Sequence, residues 1–197
     1  SKLGSGTATL SGTNTYEGLT DVRQGVLVAN NNSALGSSTT GSTFVQPGAS
    51  LHVSGGRTIA EALSISESGV GFGSGTDPST LGALRSIGGN NVWTGNIHLA
   101  GTDNVIGVDA GLGSSLNISG KLSSATNPAI DLVKVGGGTL QLSGSVENVF
   151  TGTTTVLQGR LELNKSPGLD AIGGSLVIGN NLGGDNAAVV SLLASNQ

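Results

Sequence analysis

The chain has 197 residues, with no cysteine, no methionine, 35 glycines, only 10% charged residues and a net charge of −4. Zero cysteine excludes disulfides and thiolate metal sites. Four lysines and four arginines with no basic run disfavour a nucleic-acid partner, whose phosphates need clustered cations.

No apolar run approaches the ~18 residues of a membrane helix, so membrane insertion of this segment is not expected. No signal peptide stands at the N-terminus. A chain opening at Ser1 without Met is expected either to have lost a leader or to be an excised section. With 36% hydrophobic residues the composition is not that of a disordered chain. Abundant Gly, Ser, Thr, Asn, Val and Leu predict many short strands separated by tight turns.

In chain order, residues 2–29, KLGSGTATLSGTNTYEGLTDVRQGVLVA, read as strand, turn, strand, turn, strand. Turn chemistry follows at Asn30-Asn31-Asn32, Pro47-Gly48, Gly55-Gly56, Gly89-Asn90-Asn91 and Gly179-Asn180-Asn181, because Gly and Asn accept left-handed backbone. Alternating apolar residues predict strands at 50–53, 63–65, 83–87, 115–118, 175–178 and 188–192. No apolar run of period 3.6 is long enough to predict a helix.

Residues 134–163, KVGGGTLQLSGSVENVFTGTTTVLQGRLEL, repeat the opening stretch. Residues 2–12 match 134–144 at seven of eleven positions. After two extra residues, Gly18-x-Thr20-x-Val22-x-Gln24-Gly25-x-Leu27 matches Gly152-x-Thr154-x-Val156-x-Gln158-Gly159-x-Leu161. A third, degenerate copy lies near 91–99, marked by the element aromatic-x-Gly. That element occurs at Tyr16-Glu17-Gly18, Trp93-Thr94-Gly95 and Phe150-Thr151-Gly152, separated by 77 and 57 residues. These are about four and three multiples of a ~19-residue period.

Strand neighbours point to opposite faces, so the copies assign inward residues. Arg160 and Glu162 must be solvated, which turns Leu161 and Leu163 inward, and with them Leu27 and Ala29. Leu140 and Leu142, and Ala8 and Leu10, face in on the same logic. Past each aromatic the inward pair is Thr20 and Val22, Ile97 and Leu99, or Thr154 and Val156.

These patterns predict an all-β chain forming a single segment over 1–197, a right-handed parallel β-helix (β-solenoid). About ten rungs of roughly 20 residues would make a rod about 45–50 Å long. Rungs cannot bury their apolar faces alone and share one continuous core by stacking. Asparagine pairs that fall in register between rungs are expected to form ladders.

The pattern G-x-G-T-L-x-L-S-G, aromatic-T-G-x-T-x-V, x-G-x-L-x-L at 134–163 resembles the autotransporter-associated β-strand repeat. That repeat occurs in passenger domains of large bacterial surface and secreted proteins. It is recognisable at 2–29 and partial at 91–99. The resemblance implies a β-helix at the cell surface or outside the cell, exported through a separate outer-membrane translocator, and it transfers no catalytic residue.

The residues themselves offer few alternatives. His52 and His98, between Leu51 and Val53 and between Ile97 and Leu99, are predicted to face outward as solvated strand residues without metal-ligand spacing. A polysaccharide hydrolase or lyase needs paired carboxylates at one groove, and Asp103 and Asp109 are the nearest candidates on spacing. Both sit beside Gly and Asn, which favours turn formation. Gly183-Gly184-Asp185-Asn186 faintly resembles a calcium nonapeptide but occurs once and reads as a turn. Gly4-Ser5-Gly6 and Gly136-Gly137-Gly138 lack the following helix of a phosphate loop.

No catalytic, cofactor or metal site is therefore expected. The leading expectation is a non-catalytic, rigid structural or adhesive segment, a stalk or fibre-forming unit. The alternatives are a carbohydrate-active β-helix enzyme, or an adhesin binding glycan or protein through its lateral face. Absence of a polar cap at either end predicts a section of a longer passenger, or a subunit stacking end to end.

Overall fold

The computed structural model describes residues 1–70, 82–111, 113–124, 130–179 and 188–195, and among them every regular element is a strand. The chain opens with β1 (Thr7–Leu10), β2 (Thr20–Val22), β3 (Gly25–Ala29), β4 (Ser42–Val45), β5 (Ala49–Val53) and β6 (Thr58–Ile59). It continues through β7 (Ala62–Ile65), β8 (Leu84–Ser86), β9 (Asn90–Trp93), β10 (Ile97–Leu99), β11 (Asp103–Val108) and β12 (Ser115–Ile118). Then come β13 (Leu122–Ser124), β14 (Asp131–Val135), β15 (Thr139–Gly144), β16 (Thr154–Val156), β17 (Arg160–Lys165), β18 (Leu176–Ile178) and β19 (Val189–Leu192).

Three wholly parallel sheets result: β2-β4-β7-β10-β13, β1-β3-β5-β8-β11-β14-β16-β18, and β6-β9-β12-β15-β17-β19. In its middle turns the chain visits the five-strand, eight-strand and six-strand faces in that order and starts again. That is a three-faced β-solenoid, as the alternation predicts. At about 4.8 Å per turn, β1 to β18 spans about 34 Å.

The turns are fewer and longer than ten of 20 residues. Paired residues lie 19 apart at Thr7–Val26, 22 apart at Lys134–Val156 and 33 apart at Leu51–Leu84. The physical reason is that strand pairing fixes only the flat segments, while corners accept insertions at little cost. The aromatic spacings shift accordingly. Tyr16 and Trp93 precede β2 and β10, three steps apart on the five-strand face, whereas Phe150 precedes β16 on the eight-strand face.

The two repeat copies therefore occupy different faces. In the first, β1 and β3 pair on the eight-strand face; in the second, the equivalent β15 and β17 pair on the six-strand face.

Alternation places the core as predicted. Leu27, Ala29, Leu140, Leu142, Leu161 and Leu163 are buried, and Ala8 and Leu10 pack on the same cluster. Inward side chains stack in columns along the axis; Leu27, Leu51, Leu84 and Ile106 share one on the eight-strand face. Burying each such side chain is worth about 1.5–3 kcal/mol. The corner reading of Gly89-Asn90-Asn91 is corrected: Asn90 and Asn91 open β9. Asn180 and Asn181 lie outside the described residues.

Among the described residues, buried asparagines bond to the main chain instead of laddering with one another. Asn91 Oδ1 accepts from Arg57 N (2.7 Å), and its Nδ2 donates to Ser86 Oγ (2.8 Å) and Gly88 O (3.0 Å). Asn148 Oδ1 accepts from Leu122 N and its Nδ2 donates to Ala171 O, both at 2.8 Å. A buried amide carries both donor and acceptor, so Asn148 ties the turn before it to the turn after it, and Asn91 joins its own turn to the preceding one.

Candidate functional site

The residues singled out for chemistry do not converge. His52 and His98 take outward positions on β5 and β10, but both are half-buried rather than solvated, because neighbouring strands flank them. His52 lies opposite Arg85 of β8, and Arg85 Nη2 makes an ion pair with Asp109 Oδ1 at 2.6 Å. Burial, with the Arg85 charge beside it, pushes the His52 pKa down to about 4, so the imidazole is neutral at neutral pH. His98 sits between Ser64 and Ser123 on the neighbouring strands.

Asp103 opens β11 and Asp109 follows its last residue. Six residues of extended chain separate the two by about 20 Å, far beyond the roughly 5–9.5 Å of paired glycosidase carboxylates. Asp103 lies in a strand rather than a turn, in register with Asp131, whereas Asp109 stands in the connection after β11 and holds Arg85. Among the described residues no group of three His, Asp or Glu side chains is placed to hold a metal. Gly183-Gly184-Asp185-Asn186 lies outside the described residues.

The structure places its unusual chemistry inside the solenoid, where sequence reasoning did not look. Lys134 is 0% exposed and occupies the column of Leu84, Ile106 and Val156 on the eight-strand face. Its Nζ donates to the carbonyl oxygens of Val135 (2.9 Å), Gly136 (2.5 Å) and Gln158 (2.9 Å). Burial pushes its pKa down to about 7, while the three carbonyl acceptors favour the charged form.

The first copy builds the same corner. Lys2 Nζ donates to Leu3 O (3.1 Å), Gly4 O (2.6 Å) and Gln24 O (2.8 Å), position for position the same three carbonyls. Gly25 and Gly159, both at φ +69°, fold beneath it. A Cβ at Gly25 would lie 2.5 Å from Gly6 O and 2.6 Å from Gly4 O, and one at Gly159 at the same distances from Gly136 O and Gly138 O. The motif K-x-G-x-G over V-x-Q-G is thus one corner clamp spanning two turns. The recurrence of Lys two residues before the first glycine was its sequence signal.

A second interior feature runs down the corner after the six-strand face. Ile59, Trp93, Ile118, Leu142 and Leu163 stack in register, so the positions two residues on are Glu61, Gly95, Gly120, Gly144 and Lys165. Buried Lys165 uses the space the glycines leave: its Nζ reaches Gly120 O, two turns away, at 3.1 Å. Burial pushes its pKa down to about 8. Glu61, at the other end, accepts from Thr43 Oγ1 at 2.8 Å, and burial pushes its carboxyl up to about 7 against that bond.

The first turn also leaves a groove of about 400 Å³ lined by Lys2, Ala8, Leu10, Tyr16, Leu19 and Leu27, where the core meets solvent. At the other end Val177, Ile178, Leu192 and Leu193 are exposed. No helix among the described residues is long and apolar enough to cross a membrane.

The family model of the passenger-associated-transport-repeat matches residues 1–29 and 132–163, the two copies that build the lysine corner. The 91–99 segment lies outside both matches. No curated protein and no solved structure matches the chain.

Proposed function

We propose that this chain, a β-solenoid carrying two passenger-associated-transport-repeats, is a non-catalytic structural section of a bacterial surface or secreted passenger. In this reading it acts as a rigid spacer that holds other parts of the passenger away from the cell. The observation that carries the reading is where the repeat spends its shared residues. Lys134, Gly136, Gln158 and Gly159, like Lys2, Gly4, Gln24 and Gly25, close a corner, while Leu140, Leu161 and their counterparts fill the core. In both copies the lysine ammonium, the one reactive group among these positions, is spent on main-chain carbonyls, and in the second copy it is fully buried.

The mechanism is mechanical. Parallel ladders on three faces tie each turn to the next, so bending or stretching must break several main-chain hydrogen bonds and expose core side chains together. The uncovered apolar residues of the first and last turns, Leu3 and Leu19 at one end and Leu192 and Leu193 at the other, suit further stacking of the same kind. Size-exclusion chromatography and electron microscopy of the chain would reveal such stacking as filaments.

The spacer reading is tested against polysaccharide chemistry with the purified chain and its Asp103→Ala and Asp109→Ala variants on bacterial surface polysaccharides. The reading expects no reducing ends and no unsaturated product from any of the three. Product formed by the parent chain and abolished by either variant would overturn it.

A further inference from the structure

We propose that the corner shared by the two repeat copies is a monovalent-cation site with a tethered occupant. Three main-chain carbonyls bind the lysine ammonium as a cation, and removing the side chain leaves a ring that accepts free ammonium or potassium.

The argument begins with the column in which Lys134 stands. Leu84, Ile106 and Val156 fill the equivalent positions on neighbouring turns. An aliphatic residue would complete the core there, so the stem of Lys134 is replaceable and its charged head is what distinguishes it. The same holds in the first copy, where Lys2 bridges to Val22, and Val22 pairs with Val45.

The carbonyls are brought together by backbone geometry. In extended chain, successive carbonyls point to opposite sides. Gly4 at φ +77° and Gly136 at φ +78° break that alternation, turning each carbonyl and its predecessor toward one point. Gln24 and Gln158 supply the third oxygen from the following turn. Three converging carbonyl dipoles repel one another unless a cation lies between them, and no carboxylate is among the lysine's acceptors in either copy.

The chemistry selects the occupant. Three neutral oxygens carry no formal charge to balance a divalent ion, and calcium or magnesium would require six or more oxygens at about 2.0–2.6 Å. Contacts of 2.5–3.1 Å to a nitrogen fit a larger, weakly hydrated monovalent ion. Rings of main-chain carbonyls replace the hydration shell of such ions elsewhere.

The test is thermal unfolding of the full chain and its Lys134→Ala variant in chlorides of ammonium, potassium, sodium and tetramethylammonium at equal ionic strength. The parent should respond alike to all four salts, because its site is filled. Lys134→Ala should be stabilised by ammonium or potassium only. The folded-to-unfolded ratio should rise about tenfold at ten times the dissociation constant. An equal response of the variant to all four salts, or none, overturns the proposal. If Lys134→Ala does not fold in any of them, the same four salts applied to Lys2→Ala decide, since the first turn carries fewer neighbours. Lys134→Met, which keeps the stem across the ring, should show no ion selectivity; selectivity there would also overturn the assignment.

Discussion

Glu61 and Lys165 mark the ends of one interior column, with Gly95, Gly120 and Gly144 between them, and each is buried at a cost that its environment only partly offsets. For Glu61 the folded pKa, about 7, lies above the ordinary value of 4.5. The folded state therefore binds the proton more tightly than the unfolded chain. Stability from this group is fully present below pH 4.5 and is lost as pH rises through 7. Glu61→Gln keeps an acceptor for Thr43 and removes the titration. Urea unfolding of parent and variant should give curves that diverge between these two pH values, by on the order of 3 kcal/mol at pH 8 in favour of Gln. Parallel pH profiles would show that Glu61 stays ionised at no cost.

At the scale of the element, the repeat's corner is where sequence becomes geometry. Gly159 and Gly48 have similar left-handed angles, φ +69° and +75°, but a Cβ at Gly159 meets two carbonyl oxygens within 2.6 Å while one at Gly48 meets nothing within 4 Å. Gly48→Ala should cost about 1 kcal/mol from backbone strain alone. Gly159→Ala should cost about 3 kcal/mol or more, because two stacked corners must separate. Chemical denaturation of the two variants checks this, and equal losses would mean that the corners do not stack as described.

The strands between corners were legible in the sequence for a simple reason. Arg160 and Glu162 cannot be buried in alternation, so Leu161 and Leu163 had to be. The same rule does not reveal where a charge faces inward. Lys134 and Lys165 continue the inward alternation of β14 and β17, and only converging carbonyls or a glycine column in three dimensions make that tolerable. Asn90 and Asn91 read as a corner because asparagine accepts left-handed backbone, yet Asn91 lies within a strand and spends its amide on main-chain groups of the preceding turn. Asp103 and Asp109 looked close at six residues' separation, and an extended strand put them about 20 Å apart.

For the whole molecule, the claim is that stacked turns in a fixed register, closed by corner clamps, are what this sequence specifies. Turn length escaped the sequence because corners vary freely while the faces do not, which is why a 19-residue interval at Thr7–Val26 and a 33-residue one at Leu51–Leu84 coexist in one sheet. A solenoid of this kind should tolerate loss of a whole turn and resist loss of a fraction of one. Lys134 pairs with Val156, so deleting residues 134–155 removes one complete turn and sets Val156 in the place of Lys134. Deleting 134–154 instead, one residue fewer, inverts the alternation at the junction. Thermal unfolding followed by circular dichroism compares the two most directly. The 134–155 deletion should keep a cooperative β-sheet transition, and the 134–154 deletion should unfold at a markedly lower temperature or without cooperativity. Equal stability of the two would contradict the stacked register on which the whole account rests.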